Sequence, residues 1–345
     1  MLSKQIIVVT FILAVALPLA AIPLAEADSL GKDDILTVSA DLCATRVIPV
    51  RQLSEWNDSS CDSQVNTSRA IQIMLPDGRV ADAPLPGWTV TASSIVPEGY
   101  SEIPDVVISR SDSGQLAVSV SGTVNTATQT FGDKSLISPS PSDIAQSRNS
   151  MVQPLAATPL KCQDKTYFTY GAIWVSPFQW YLNSGGVLSQ ASIAAGVNAM
   201  ADGTGTCANV PNNAAATYKG ATTLSATINS NGTCKSTDFT NVVDFAAMSN
   251  NALATTCFYA NTNEVSYADV RFNSAFNWYN INDSGTCSGK YDVAGVMTHE
   301  AGHVYGLAHV SEGSTLVMKP ASGMCELSQR TLGAGDLAGM KYLYG

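Results

Sequence analysis

The chain has 345 residues, 45% apolar and only 13% charged, with a formal net charge of −10 and a pI near 4.7. That length is enough for two domains with their own cores. The acidic balance, without any block of Lys or Arg, argues against nucleic acid as a partner, because phosphate binding needs a clustered basic footprint.

The first 27 residues are expected to be a signal peptide. Lys4 supplies a positive start, Ile6 to Leu24 is apolar apart from Thr10, and Ala25-Glu26-Ala27 offers a small-x-small cleavage site before Asp28. About twenty apolar residues also suffice to span a bilayer. Pro18 and Pro23 break the run and, with the cleavage site, favour removal, so the expected product is extracellular and free of the membrane. Eight cysteines fit that address: Cys43, Cys61, Cys162, Cys207, Cys234, Cys257, Cys287 and Cys325. None shows C-x-x-C spacing. Cys43 and Cys61 are expected to pair locally, and the other six allow fifteen connectivities.

Residues 28–155 contain short β-like runs such as Val106–Ile108 and Leu116–Val120, separated by turn-rich stretches such as Leu75-Pro76-Asp77-Gly78. Ser138 to Pro159, rich in Ser, Pro, Gln and Ala, reads as a linker. The expected organisation is therefore a propeptide or accessory β-rich region over 28–155, followed by a second domain over 156–345. An abrupt rise in aromatic residues, from Tyr167 to Tyr181, marks that domain's first strand. Ser189 can cap a helix bearing Ile193, Val197 and Met200 at helical spacing. Asn241–Tyr259 and Glu264–Phe272 read as strands. Asp292 is a good cap for a helix from Val293 to about Gly306, and the chain closes with a helical segment from Asp336 to Tyr344.

All three histidines fall within His299-Glu300-Ala301-Gly302-His303-Val304-Tyr305-Gly306-Leu307-Ala308-His309. Positions i and i+4 share a helix face, so the imidazoles of His299 and His303 converge on one point. Gly306 can take the left-handed conformation that ends the helix, turning the chain back to deliver His309 as a third ligand. Three neutral imidazoles make a tetrahedral zinc site with one position open, the catalytic arrangement, and Glu300 beside them can hold a water without ligating the metal.

H-E-x-x-H-x-x-G-x-x-H is the long zinc signature of the metzincin metallopeptidases, and this segment resembles it throughout. Met318, in Leu316-Val317-Met318-Lys319-Pro320, resembles the family's Met-turn beneath the metal. Val265–Asn273 with Trp278 after it is similar to the edge strand of the matrixin branch, and Leu332–Gly345 to its closing helix. The resemblance covers roughly 160–345. Val310 stands where matrixins usually have Ser, no Tyr lies two residues after Met318, and the matrixin activation motif Pro-Arg-Cys-Gly is missing. No histidine remains for a second, structural zinc.

The resemblance implies an α+β fold: a twisted mixed sheet with an antiparallel edge strand, an active-site helix, a Met-turn and a C-terminal helix, preceded by the β-rich region. It implies a secreted zinc endopeptidase with one catalytic Zn2+ on His299, His303 and His309 and with Glu300 as general base; calcium has no recognisable motif to support it. The partner is then a polypeptide lying extended beside Glu264–Asn273, its side-chain preference set by Ser311 to Leu327. A secreted binding protein that keeps a zinc-stabilised fold without catalysis is the alternative, against which the retained Glu300 speaks.

Overall fold

The computed structural model describes residues 47–50, 53, 71–121, 161–207 and 210–345. The expected signal peptide, the expected pairing of Cys43 with Cys61 and the expected linker over Ser138–Pro159 all fall outside the described residues.

Three short strands, Val47–Pro49 (β1), Gln72–Met74 (β2) and Val80–Asp82 (β3), form a small sheet. The next three, Trp88–Pro97 (β4), Val106–Arg110 (β5) and Leu116–Val120 (β6), join a much larger one. The aromatic stretch supplies Phe168–Thr169 (β7) and Phe178–Asn183 (β8). Helix α1 (Gln190–Ala201) follows, its N-terminus capped by Ser189, whose side chain accepts from Ser192 N. Then come Ala216–Ala221 (β9), Val242–Ala246 (β10), Ala254–Asn261 (β11) and Glu264–Asn273 (β12). The stretch read from sequence as one strand over 241–259 is thus two strands of opposite direction, joined by a loop that contains Asn250.

Trp278–Tyr279 (β13) and Tyr291–Asp292 (β14) pair with each other and lead into helix α2 (Val293–Val304). Asp292 caps that helix by accepting from Gly295 N at 2.7 Å and is itself gripped by Arg330. Every residue of α2 is buried, as expected of a helix packed on all sides. Leu307–Ala308 (β15), Ala321–Ser322 (β16) and the closing helix α3 (Ala334–Tyr344) complete the order. No helix among the described residues is long and apolar enough to cross a membrane.

The large sheet runs β6-β5-β4-β11-β12-β10-β8-β9, with β16 also paired to β4. Strands β9, β8, β10 and β12 are parallel, and β11 is antiparallel to β12. The mixed α+β architecture expected from sequence is present. Two expectations need correction. The strand Glu264–Asn273 is not an edge: β10 pairs with one side of it and β11 with the other. Nor is the antiparallel strand β11 free, because β4 covers its outer side from Trp88 to Ile95. Backbone N–H and C=O groups left open on an edge are satisfied by the next available strand, and the upstream segment provides it.

Strands from both sides of position 155 therefore share one sheet. They also share a core, since upstream Ile48, Ile73, Val90 and Ile108 pack with downstream Ile228, Cys257 and Tyr259. A larger core lies between the sheet and the helices and includes Phe178, Trp180, Val197, Phe272, Val296 and Met340. Three disulfides settle the pairing of the downstream cysteines: Cys162–Cys207, Cys234–Cys257 and Cys287–Cys325.

Candidate metal centre

Helix α2 carries His299 and His303 one turn apart, so both rings leave the same face. The chain then leaves the helix through Gly306, whose φ of +93° suits glycine and whose absent Cβ would meet the Ala172 carbonyl oxygen at 2.2 Å. That turn returns His309 to the same point. The three Nε2 atoms lie 3.0, 3.1 and 3.2 Å apart. A tetrahedral ion about 2.0–2.1 Å from each nitrogen would set them roughly 3.3 Å apart, so the donor set fits zinc closely.

Backbone carbonyls fix the ring orientation. His299 Nδ1 lies 2.8 Å from the Val317 carbonyl oxygen and His303 Nδ1 lies 2.9 Å from that of Leu307. With Nδ1–H donating, each Nε2 keeps its lone pair for a metal. Burial, followed by the neighbouring imidazoles, holds His299 and His303 well below the usual histidine range, which keeps them neutral. His309 differs: burial alone would lower it, but Asp105, Glu102 and Glu300 together raise it. Its Nδ1 sits 3.3 Å from Glu102 and 3.4 Å from Asp105, neither aligned as a hydrogen bond.

Glu300 is fully buried beside this cluster. Thr256, on β11, donates its hydroxyl to Glu300 Oε2 at 2.5 Å, while Oε1 has no hydrogen-bond partner among the described residues. Burial raises the carboxyl to about 8, against the pull of the Thr256 hydroxyl and of His309. A divalent cation on the imidazoles would act against that rise. A buried carboxylate oxygen with nothing to bond, beside three converging nitrogens, is what a water or substrate amide would complete.

Met318 packs so closely on α2 that a Cβ on Gly302, the residue before His303, would meet its Sδ at 2.2 Å. Asp336, from α3, accepts from Val317 N, Met318 N and Gly333 N at 3.0, 3.2 and 2.8 Å. The closing helix thereby positions both Met318 and the carbonyl that orients His299.

All four residues singled out from sequence, His299, Glu300, His303 and His309, come together. Sequence reasoning missed Thr256, Asp105 and Glu102. They reach the site from β11 and from the segment between β4 and β5, and no spacing pattern links them to the histidines.

Residues 240–345, less than half of the chain, match the matrixin family model. A comparison with curated proteins found no match. Among solved structures, the crystal structure of metalloproteinase-II from Bacteroides fragilis aligns with 86% of this chain and 98% of that one at 10% identity. Its TM-score of 0.23 is too low to show a shared fold. The matrixin-like resemblance read from the zinc signature is thus shown for the segment that carries it.

Proposed function

We propose that the protein is a secreted zinc endopeptidase, matrixin-like, with His299, His303 and His309 holding one catalytic Zn2+ and Glu300 as general base and acid. The observation that carries this reading is the convergence of three Nε2 atoms within 3.2 Å beside a buried carboxylate with one uncommitted oxygen. Residues 1–27 serve as the signal peptide, and the three disulfides suit the oxidising compartment it leads to. The match over 240–345 adds the substrate class, a polypeptide.

Zinc bound there supplies a Lewis acid that polarises the substrate carbonyl and acidifies water. Glu300 accepts a proton from the attacking water and passes it to the leaving amine nitrogen. Thr256 keeps the carboxylate turned towards the cluster through its bond to Oε2. The Nδ1 bonds of His299 and His303 hold the imidazoles in the ligating tautomer. Extended substrate docks through main-chain hydrogen bonds along β11, once β4 no longer occupies that side.

Metal removal tests the reading directly. Chelation of the purified protein should abolish casein digestion, and one equivalent of Zn2+ should restore it with one ion bound per chain. A zinc-loaded preparation that digests no protein would leave the non-catalytic alternative standing.

Thr256→Val tests the positioning. Losing the hydroxyl removes a bond that favours ionised Glu300, so its pKa rises. A general base works deprotonated, so the acid limb of the pH–kcat/KM profile should move to higher pH with bound zinc unchanged. An unmoved limb would show that Thr256 does not hold the base.

A further inference from the structure

The three imidazoles are not held alike. A main-chain carbonyl faces Nδ1 of His299 and of His303, at 2.8 and 2.9 Å. Among the described residues no carbonyl takes that place for His309. Its Nδ1 faces two carboxylates instead, Glu102 Oε1 at 3.3 Å and Asp105 Oδ1 at 3.4 Å. Both acids lie far upstream of the stretch that matches the matrixin model.

The two acids differ in how firmly they are placed. The Glu102 side chain is 44% exposed, that of Asp105 only 10%. Ser93 Oγ, on β4, donates to Asp105 Oδ1 at 2.6 Å, and Tyr170 OH donates to Oδ2 at 2.6 Å. The Asp105 backbone is clamped as well. Its N–H donates to Ser121 Oγ at 2.7 Å, and its carbonyl accepts from Ser121 N at 3.0 Å. Tyr170 is tied in turn to the segment that delivers His309. It follows β7, which pairs with β15 just before His309, and Tyr170 N donates to the Gly306 carbonyl at 2.8 Å. Carboxylate and imidazole are thus both fixed to one turn of the chain.

A lone pair on His309 Nδ1 would point at two negative groups, whereas an N–H there is attracted by both. The surroundings therefore favour a proton on Nδ1. That leaves the Nε2 lone pair, 3.2 and 3.1 Å from the Nε2 atoms of His299 and His303, for a metal.

Resting on the zinc reading above, we propose that Asp105 is the positioning residue of the third ligand, setting the tautomer and ring orientation of His309 and so strengthening the site's hold on zinc. Ser93 and Tyr170 keep the carboxylate in place for that task. Glu102 adds little, because water screens its exposed end. Metal affinity is then a property of the whole chain. The matched segment 240–345 carries all three ligands but not the group that orients the last of them.

The experiment uses the full chain, stripped of metal and titrated with Zn2+ against a chromophoric chelator. Asp105→Asn keeps the volume of the carboxyl and an oxygen for a hydroxyl donor but loses the charge. Zinc affinity should fall about 10- to 100-fold. Glu102→Gln should lower it by about fivefold at most. Ser93→Ala removes a buried bond to Asp105 while keeping the carboxylate, so it separates packing from charge. Its affinity should stay nearer to wild type than to Asp105→Asn. Undiminished affinity in Asp105→Asn, or an equal loss in Ser93→Ala, overturns the proposal. A wild-type chain that binds no zinc fells the metal-site reading instead.

A second readout needs no variant. The chain has only three histidines, so NMR of the isotope-labelled imidazoles resolves each of them. In the zinc-loaded wild type His309 should carry its proton on Nδ1 and bind through Nε2. Binding through Nδ1, or a bare Nδ1, overturns the proposal whatever the variants do.

Discussion

Glu300→Gln should lower kcat for peptide hydrolysis by roughly 100- to 10,000-fold, the usual contribution of a positioned general acid–base. The amide keeps the volume of the carboxyl and an oxygen to accept the Thr256 hydroxyl, so folding should be unaffected. It cannot take up a proton at neutral pH. Zinc content should stay at one ion per chain, because His299 and His303 are oriented by the carbonyls of Val317 and Leu307 and not by Glu300. Metal analysis beside casein turnover checks both halves. A variant that retains zinc and digests casein at the wild-type rate would remove Glu300 from the chemistry.

The largest expected loss of stability follows from Arg271→Leu. Arg271 on β12 forms a two-pronged pair with Asp244 on β10, at 2.9 and 2.6 Å, and also donates to the Ala226 and Ile228 carbonyls. Both charged side chains are almost wholly buried. Removing one partner of a buried pair leaves an uncompensated charge, a loss of about 3–5 kcal/mol. The urea midpoint should fall accordingly with little change in m-value. In the double variant with Asp244→Leu, much of that loss should be recovered, because no charge is left unpaired. A double variant as unstable as the single one would show that the carbonyl contacts, not the ion pair, dominate. Since β12 sits next to the strand bearing Thr256, casein turnover at saturating zinc reports whether the damage spreads to the site.

The two variants probe different kinds of information. Glu300 could be singled out from its neighbours in the chain. Arg271 could not, because its partners lie 27, 43 and 45 residues away and meet it only when the parallel strands are in register. The same contrast holds for the helices and the sheet. The Ser189 and Asp292 caps and the left-handed Gly306 were readable because each acts within one turn of backbone. The neighbours of Glu264–Asn273 were not: a strand's pattern reports which faces are buried, not which strand sits beside it.

The sequence by itself determined the candidate metal centre, because helical periodicity and one glycine turn suffice to bring His299, His303 and His309 to a common point with Glu300 beside them. It also determined where helices α1, α2 and α3 lie, through local caps and apolar spacing. Only the tertiary structure decided that Trp88–Pro97 lies along β11, that Thr256 holds Glu300, and that Asp105 and Glu102 flank His309. Those contacts join segments some 44 to 207 residues apart. Strand pairing is made by main-chain groups that every residue carries, so nothing in the side-chain pattern announces it beforehand.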